Sequence, residues 1–195
     1  MEGIKGIIED MKQHGMEIPA HGVSVYVPDG KTVLTNCFRY FLFQLGKEFA
    51  YKQEYDEVAD WLSDNKRRGL LLYGNCGQGK TLLSRFVLPA ILLKYCGKVV
   101  NYYDMTQVNH KIDEVLSKHI LSIDDVGTES LSVQYGNKRN AFDEIMDSVE
   151  KKGKLIIVTT NLTSEELSEK YGERVMDRII STTRRILFTG ESLRS

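Results

Sequence analysis

The chain has 195 residues and a formal net charge of −1, with 26 Lys and Arg against 27 Asp and Glu. One domain of this size buries roughly 70% of its unfolded surface and needs no disulfide or metal to fold, while the balanced charge argues against a non-specific nucleic-acid coat protein. Three cysteines without a C-x-x-C pair, acids within the first apolar stretch and no apolar run of roughly 20 residues predict a cytoplasmic protein with no membrane partner.

The first part of the chain carries mixed signals. Isoleucine and methionine recur at helical spacing over 4–11, which predicts a short amphipathic helix. Alternating valines followed by Pro-Asp-Gly over 23–30 predict a short strand or hairpin arm. The pattern over 32–62 is helical with interruptions. We interpret residues 1–60 as an N-terminal extension that binds a partner or packs on the core, and residues 61–195 as that core.

The core alternates apolar runs of strand length with segments of helical spacing, the order that builds a parallel sheet. The pattern therefore predicts a three-layer α/β fold with five parallel strands. We place these strands at 69–73, 98–103, 120–123, 155–159 and 185–188. We place the helices at 80–96 with a break at Pro89, at 106–117, over 142–149 before Gly153, and after a capping box of Thr163 and Glu166.

A glycine-rich segment follows the first predicted strand of the core. Residues 74–81 fit the Walker A pattern G-x-x-x-x-G-K-[ST] between a strand and a helix. Glycines let backbone amides approach phosphate oxygens, and the helix N-terminus adds the positive end of its dipole. Lys80 is expected to reach the β- and γ-phosphates, and Thr81 to offer its hydroxyl to Mg²⁺. The ATP-binding residues predicted here are Gly74, Asn75, Cys76, Gly77, Gln78, Gly79, Lys80, Thr81 and Leu82.

Polar residues also follow two later strands. Asp124 and Asp125 end the third predicted strand, where open α/β sheets place their ligand sites. Asp124 suits the Walker B role of holding Mg²⁺, and Asp125 suits orienting or deprotonating the attacking water. Asn161 follows the fourth strand, where it either contacts the γ-phosphate or that water, or caps the next helix.

Two arginines share one face of a late helix. Arg174 and Arg178 are four residues apart, and like charges at this spacing cost roughly 0.2–0.5 kcal/mol unless an anion answers them. Asp177, three residues from Arg174, is one acid that could offset this repulsion. The other candidate is the γ-phosphate of a neighbouring subunit, which Arg178 above all would reach as an arginine finger within an oligomer.

In this order, the motifs resemble AAA+ ATPases of the DnaC type, the bacterial replicative-helicase loaders, and the related IstB transposition helpers. The resemblance covers roughly residues 61–194 and is carried by GLLLYGNCGQGKTLL, SIDDVGTES and YGERVMDRI. It implies an AAA+ core without a C-terminal helical lid, and it places Ser130 near single-stranded DNA. By the same resemblance, the expected roles are nucleotide and metal for Lys80 and Thr81, metal for Asp124, hydrolysis for Asp125, sensor 1 for Asn161, and the finger in trans for Arg178 with Arg174 beside it.

The function expected from these residues and this resemblance is Mg²⁺-dependent ATP hydrolysis in DNA replication, with a replicative helicase and single-stranded DNA as partners. The alternative is an IstB-like ATPase that assists a transposase on duplex DNA. A small-molecule kinase would need an acceptor pocket and an arginine-rich lid, and a slow nucleotide switch would bind ATP with little turnover. Candidate DNA contacts are Lys98, Lys111, Lys138 and Arg139, with Tyr102 and Tyr103 able to stack on bases.

Overall fold

The strands form one central sheet and one small hairpin. The computed structural model describes residues 2–16, 18–77, 79–129, 132–134 and 137–189. In chain order the strands are β1 (Gly69–Gly74), β2 (Asn101–Asp104), β3 (Ile120–Val126), β4 (Ser132–Gln134), β5 (Asn137–Arg139), β6 (Leu155–Thr160) and β7 (Thr183–Phe188). The sheet has the order β2-β3-β6-β1-β7 with every neighbouring pair parallel, and β4 and β5 pair with each other. The predicted five-stranded parallel sheet is confirmed.

Helices connect these strands and precede them. In chain order they are α1 (Glu2–Gln13), α2 (Gly30–Gln44), α3 (Glu54–Ser63), α4 (Lys80–Leu82), α5 (Leu88–Cys96), α6 (Met105–Val108), α7 (Ile112–Ser117), α8 (Ala141–Lys152), α9 (Ser164–Tyr171) and α10 (Glu173–Thr182). A π-helical turn, Leu83–Val87, joins α4 to α5. In the described part of the chain, no helix is long and apolar enough to cross a membrane.

Both faces of the sheet are buried, because successive strand residues point to opposite sides. In β1, Leu70 and Leu72 belong to an apolar cluster with residues of α2, α3 and α5. Leu71, between them, belongs to a second cluster with residues of α6 to α10. The helices therefore form two layers around the sheet, as the three-layer prediction requires.

The segment before the sheet packs on the first of these layers. Val25 and Val27 are buried, but residues 23–27 form no strand, so the strand predicted there is wrong. The Val25 amide donates instead to the side-chain oxygen of Asn65, and the Val27 amide donates to the carbonyl of Leu62. The valines alternate because one side of this extended segment is buried. Its backbone amides are hydrogen-bonded by a loop residue and by a helix end in place of a neighbouring strand.

Two helix predictions also need correction. The helix predicted over 80–96 is continuous through Pro89, and in place of a break at the proline it contains the π-helical turn Leu83–Val87 just before it. The single helix predicted over 106–117 is two short helices, α6 and α7. The first of them is capped by Asp104, whose side chain accepts a hydrogen bond from the Thr106 amide.

Candidate functional site

The predicted phosphate loop and the polar strand ends meet at one edge of the sheet. Strands β1, β6 and β3 are neighbours and parallel, so their carboxyl ends lie side by side. The loop after β1, Asp125 of β3 and Asn161 after β6 all line one cavity of about 280 Å³. The loop residues that line it are Cys76, Gly77, Gly79, Lys80, Thr81 and Leu82. Gln78 lies outside the described residues.

The loop begins at a position that only glycine tolerates. Gly74 has φ of +121°, and a Cβ added there would lie 2.2 Å from the carbonyl oxygen of Phe188 on the neighbouring strand. Gly79, with φ of +91°, turns the chain into α4. These two glycines set the start and end of the loop, so its backbone curls around the cavity.

Lys80 lies at the centre of this curl. Its side chain is buried, and Nζ donates to the carbonyls of Gly74 and Asn75 at 2.7 Å each. Nζ also donates to Oδ1 of Asn161 at 3.0 Å. An ammonium group held among the loop carbonyls and an amide can exchange these acceptors for phosphate oxygens, with which its hydrogen bonds are stronger.

Asp124 is buried, with 3% of its surface exposed, and is surrounded by hydroxyl groups. Its Oδ1 accepts from the hydroxyls of Thr159 and, at 3.3 Å, Ser84, and its Oδ2 accepts from the phenol of Tyr102 at 3.1 Å. A carboxylate is costly to bury unless hydrogen bonds replace its hydration, and these hydroxyls do so. Burial and the nearby charge of Asp124 raise the pKa of Tyr102, so the phenol remains a donor at neutral pH.

Asp125 points elsewhere because the strand is irregular at this residue. The register between β3 and β6 shifts between Ile123 and Val126, and Asp125 has φ of +55°. The Asp125 amide donates to the Thr159 hydroxyl at 3.0 Å, which fixes the backbone in this unusual conformation. A bulge of this kind re-aims a side chain, and Asp125 here lines the cavity while the Asp124 side chain is buried.

The donor set at this edge fits Mg²⁺. The ion prefers oxygen ligands, takes one or two carboxylates from the protein and completes its shell with phosphate and water. Asp124 supplies a carboxylate and Thr81, on the cavity wall, supplies a hydroxyl. Among the described residues, no three His, Cys, Asp or Glu side chains form a metal cage, and an ion held largely by phosphates needs none.

The two arginines of α10 lie at a different cavity, of about 430 Å³, between α8 and α10. The Arg178 side chain is 6% exposed, and its guanidinium donates to carboxylates of Asp143, Asp147 and Glu150 on α8. The Arg174 side chain is 76% exposed and lies 3.8 Å from Asp147. Within this chain, therefore, Asp147 rather than Asp177 is the acid that pairs with Arg174, and Arg178 forms ion pairs with three carboxylates.

The segment after the aspartates is fastened to α9. Lys170 donates to the carbonyls of Gly127 and Glu129, and the Tyr171 hydroxyl donates to the Glu129 carboxylate. Burial and this carboxylate raise the pKa of Tyr171, so the donor keeps its proton. The motif SIDDVGTES and the motif that begins at Tyr171 are thus joined in space. Ser130, expected near DNA, lies outside the described residues.

Sequence reasoning missed several residues of this site. Leu42, Leu45 and Lys47, at the end of α2 and just beyond it, line the cavity although they precede the phosphate loop by 27 to 32 residues in the chain. No motif marks them. Thr159 and Ser84 were missed because hydroxyl groups in a strand or helix carry no signal of their own.

Two of the candidate DNA contacts, the tyrosines, form hydrogen bonds within the protein. The Tyr102 hydroxyl is bound to Asp124, and the Tyr103 hydroxyl donates to Glu114 at 2.9 Å, so both rings are held in the protein. Burial, the hydrogen bond and the charge of Glu114 raise the pKa of Tyr103 to about 12. The side chains of Lys138 and Arg139 lie outside the described part.

Solved structures of replication proteins share this fold. The chain aligns with a structure described as the DnaC helicase loader at 20% identity and a TM-score of 0.57, over 72% of this chain and 93% of that one. It aligns with DnaI at 18% identity and a TM-score of 0.57, over 87% and 95%. Domain-level similarity to AMPPCP-bound DnaA from Aquifex aeolicus has 18% identity and a TM-score of 0.52, over 73% of this chain and 49% of that one.

At these identities the likeness shows the fold, and at that level the resemblance to DnaC-type AAA+ proteins is confirmed. A search of curated proteins returns no match. A family model described as Novel STAND NTPase 3 matches residues 49–187, which include the phosphate loop, both aspartates, Asn161 and both arginines. Because this match spans most of the chain, the protein belongs to the Novel STAND NTPase 3 family, a family of nucleoside triphosphatases.

Proposed function

We propose that this protein is a Mg²⁺-dependent ATPase of DNA replication that loads a replicative helicase on single-stranded DNA. The observation that carries the ATPase part is the meeting of Lys80, Asn161 and Asp125 at one cavity, with the buried carboxylate of Asp124 next to Asp125 in the chain. The replication part is supported by the fold shared with structures described as the DnaC helicase loader and as DnaA bound to AMPPCP and single-stranded DNA.

Each side chain at the cavity has a separate task in this proposal. Lys80 and the loop amides bind the β- and γ-phosphates, and Asp124 and Thr81 would hold the magnesium ion. The ion, when bound, offsets the charge that develops on the phosphate oxygens. Asp125 orients the attacking water and accepts its proton, and Asn161 fixes the position of that water or of the γ-phosphate.

Hydrolysis would be completed by a second copy of the chain. We assign the contact with the neighbour's γ-phosphate to Arg174, whose guanidinium is exposed, ahead of Arg178, which would have to leave its carboxylates on α8. In this assignment Arg178 braces α10 against α8 and thereby sets the direction in which Arg174 points. The proposed self-association therefore uses the α8–α10 face.

The proposed helicase contact is α1. Ile4 and Ile7 are 62% and 59% exposed, and with Ile8 they form an apolar stripe on a helix that lies before the core. Exposed apolar surface on a helix is typical of a face that another protein covers.

The ATPase proposal is tested by comparing two variants with wild type. Lys80→Ala should abolish binding of a fluorescent ATP analogue. Asp125→Asn should retain binding but lower the hydrolysis rate at least about 100-fold, the usual contribution of a general base. Asparagine adopts positive φ more readily than most residues, so this change leaves the bulge intact.

Asp64→Asn is the matched control, because it makes the same change in an exposed turn whose hydrogen bond to the Lys66 amide an asparagine oxygen also accepts. Undiminished hydrolysis by Asp125→Asn would remove Asp125 as the base. The DNA part is tested by salt-dependent binding to single- and double-stranded oligonucleotides. A clear preference for duplex would contradict the loader and favour the transposase-assisting alternative.

A further inference from the structure

Tyr102 contacts the proposed metal ligand from the edge of the sheet. It lies on β2, the edge strand beside β3, and its hydroxyl donates to Oδ2 of Asp124 at 3.1 Å. The other carboxylate oxygen, Oδ1, is already held by the hydroxyls of Thr159 and Ser84. Among the described side chains, Tyr102 is therefore the one that donates to Oδ2 of Asp124. By holding this second oxygen, it fixes the rotation of the carboxylate about its Cβ–Cγ bond.

The ring of Tyr102 is in turn covered by an arginine side chain. The guanidinium of Arg85 lies over the ring of Tyr102, 4.9 Å from its centroid, and over the ring of Phe86 at 5.2 Å. Arg85 belongs to the π-helical turn that follows the phosphate-loop helix, so one element contacts both the loop and the tyrosine. A polar cavity of about 510 Å³ borders both Arg85 and Tyr102, so the stacked arginine lies between the ring and this open side.

We propose that Tyr102 is a positioning residue for the metal-binding carboxylate of Asp124, and that Arg85 holds the tyrosine ring in place for this task. The inference rests on the proposed function, because it assigns Asp124 to Mg²⁺. Groups that hydrogen-bond a metal ligand orient it, and their removal weakens metal affinity or activity about 10- to 100-fold. Tyr102 thereby connects the outer surface at Arg85 to the metal site.

The test measures metal binding separately from turnover. Mn²⁺ replaces Mg²⁺, and electron paramagnetic resonance measures its dissociation constant for the full chain in complex with AMPPCP. Tyr102→Phe removes the hydroxyl and keeps the ring, so Mn²⁺ affinity should fall about 10-fold. Nucleotide affinity measured in EDTA should stay unchanged, and the lowered hydrolysis rate should recover when the Mg²⁺ concentration is raised. A tyrosine needed only for folding would not give this metal-dependent recovery.

The chain offers a matched control on the same strand. Tyr103→Phe deletes a hydroxyl that donates to Glu114 on the opposite face of the sheet, so Mn²⁺ affinity should equal that of wild type. Arg85→Ala keeps the tyrosine and removes the stacked guanidinium, so the affinity should fall by a smaller factor, about two- to five-fold. Unchanged affinity in Arg85→Ala would remove Arg85 from the proposal.

Two results would overturn the assignment of Tyr102, and a third would overturn the proposed ATPase function on which it rests. Wild-type Mn²⁺ affinity in Tyr102→Phe would show that the hydroxyl does not position Asp124. Equal losses of nucleotide affinity with and without metal would show that Tyr102 acts on the nucleotide site as a whole. If wild type itself binds AMPPCP without Mn²⁺ contributing, the metal site and the proposed ATPase fail together, whatever the variants do.

Discussion

At the scale of single residues, two adjacent aspartates differ because of one backbone irregularity. Asp124 continues the strand and is buried among hydroxyl groups, while Asp125, with φ of +55°, turns to the cavity. The hydroxyl of Thr159 contacts both, through the carboxylate of one and the amide of the other. A short segment thus places two neighbouring carboxylates in two environments, one buried among hydroxyl groups and one at the cavity.

A first prediction concerns Gly74. Gly74→Ala places a methyl group 2.2 Å from the Phe188 carbonyl at a φ that side chains avoid, so the strand end must shift. We expect the free energy of unfolding to fall by about 1–3 kcal/mol and ATP binding to be lost, measured by denaturant unfolding and nucleotide titration.

Gly97→Ala is the control for this change. Gly97 also has positive φ, at +62°, but no described atom lies within 4 Å of the added Cβ. It should cost about 1 kcal/mol and leave ATP binding intact. Equal effects of the two variants on binding would contradict the steric explanation.

At the scale of elements, α8 and α10 form an ion-paired unit. Asp143, Asp147 and Glu150 recur along one face of α8 and surround the buried guanidinium of Arg178. Lysine keeps the charge but lacks the planar fork, so Arg178→Lys should lower the free energy of unfolding by about 1–3 kcal/mol. Arg174→Lys, at an exposed position, should change it by less than about 0.5 kcal/mol. Similar losses in both variants, measured by urea denaturation, would contradict the brace.

The proposed contact in trans is tested by mixing two inactive variants. Lys80→Ala has a defective nucleotide site with Arg174 intact, and Arg174→Ala has the reverse. Mixed subunits should recover part of the ATPase activity, because one subunit supplies the site and its neighbour the arginine. Activity of the mixture equal to the average of the separate variants would contradict this contact.

Acid should weaken the same unit. The hydrogen bond from Lys151 and the positive charges of Arg178, Lys151 and Arg174 hold the pKa of Asp147 below its usual value near 3.8. Because the unfolded chain then binds the proton more tightly, Asp147 stabilises the fold fully above about pH 4, and this contribution is lost as the pH falls through its folded pKa. The difference in Tm between wild type and Asp147→Asn should therefore be largest above about pH 5 and shrink below about pH 4. A difference that grows on acidification would contradict the assignment.

The strands and the phosphate loop could be predicted from the sequence, whereas the ion pairs between α8 and α10 could not. The strand runs and the phosphate loop were predictable because a buried parallel strand reads as a continuous apolar run and the loop has a fixed glycine spacing. The contact of Arg178 with α8 was not predictable, because the spacing of Asp143, Asp147 and Glu150 is also that of the solvent-exposed face of an ordinary helix. Only the packing of α10 against α8 distinguishes the two. The valines at 23–27 misled for a related reason, since burial by a loop gives the same alternation as a strand.

At the scale of the whole molecule, the N-terminal segment is divided. Leu34, Phe38 and Leu42 of α2 share the apolar cluster beneath the sheet, so α2 is part of the core. Its last turn and the residues just after it line the same cavity as the phosphate loop. The helix α1, by contrast, presents exposed isoleucines. Residues before position 60 therefore contribute both to the cavity beside the glycine-rich loop and to an outward face.

This division predicts separable effects. The double substitution Ile4→Asp and Ile7→Asp should leave Tm and ATPase activity unchanged, because both side chains are exposed. It should abolish capture of the replicative helicase by the full chain, measured by pull-down with the purified helicase. Lys5→Glu, also exposed on α1, is the control and should retain capture. Helicase capture that survives the double substitution would move the contact away from α1.

We propose that the sheet edge formed by β3, β6 and β1 binds a triphosphate whose metal ion is held by Asp124. A crystal structure with AMPPCP and Mn²⁺ tests it most directly, since anomalous scattering locates the metal. We expect phosphate oxygens within hydrogen-bonding distance of Lys80 Nζ, and a Mn²⁺ peak beside the Thr81 hydroxyl and within one water of the Asp124 carboxylate. A nucleotide bound elsewhere, or a metal peak remote from Asp124, would contradict this proposal.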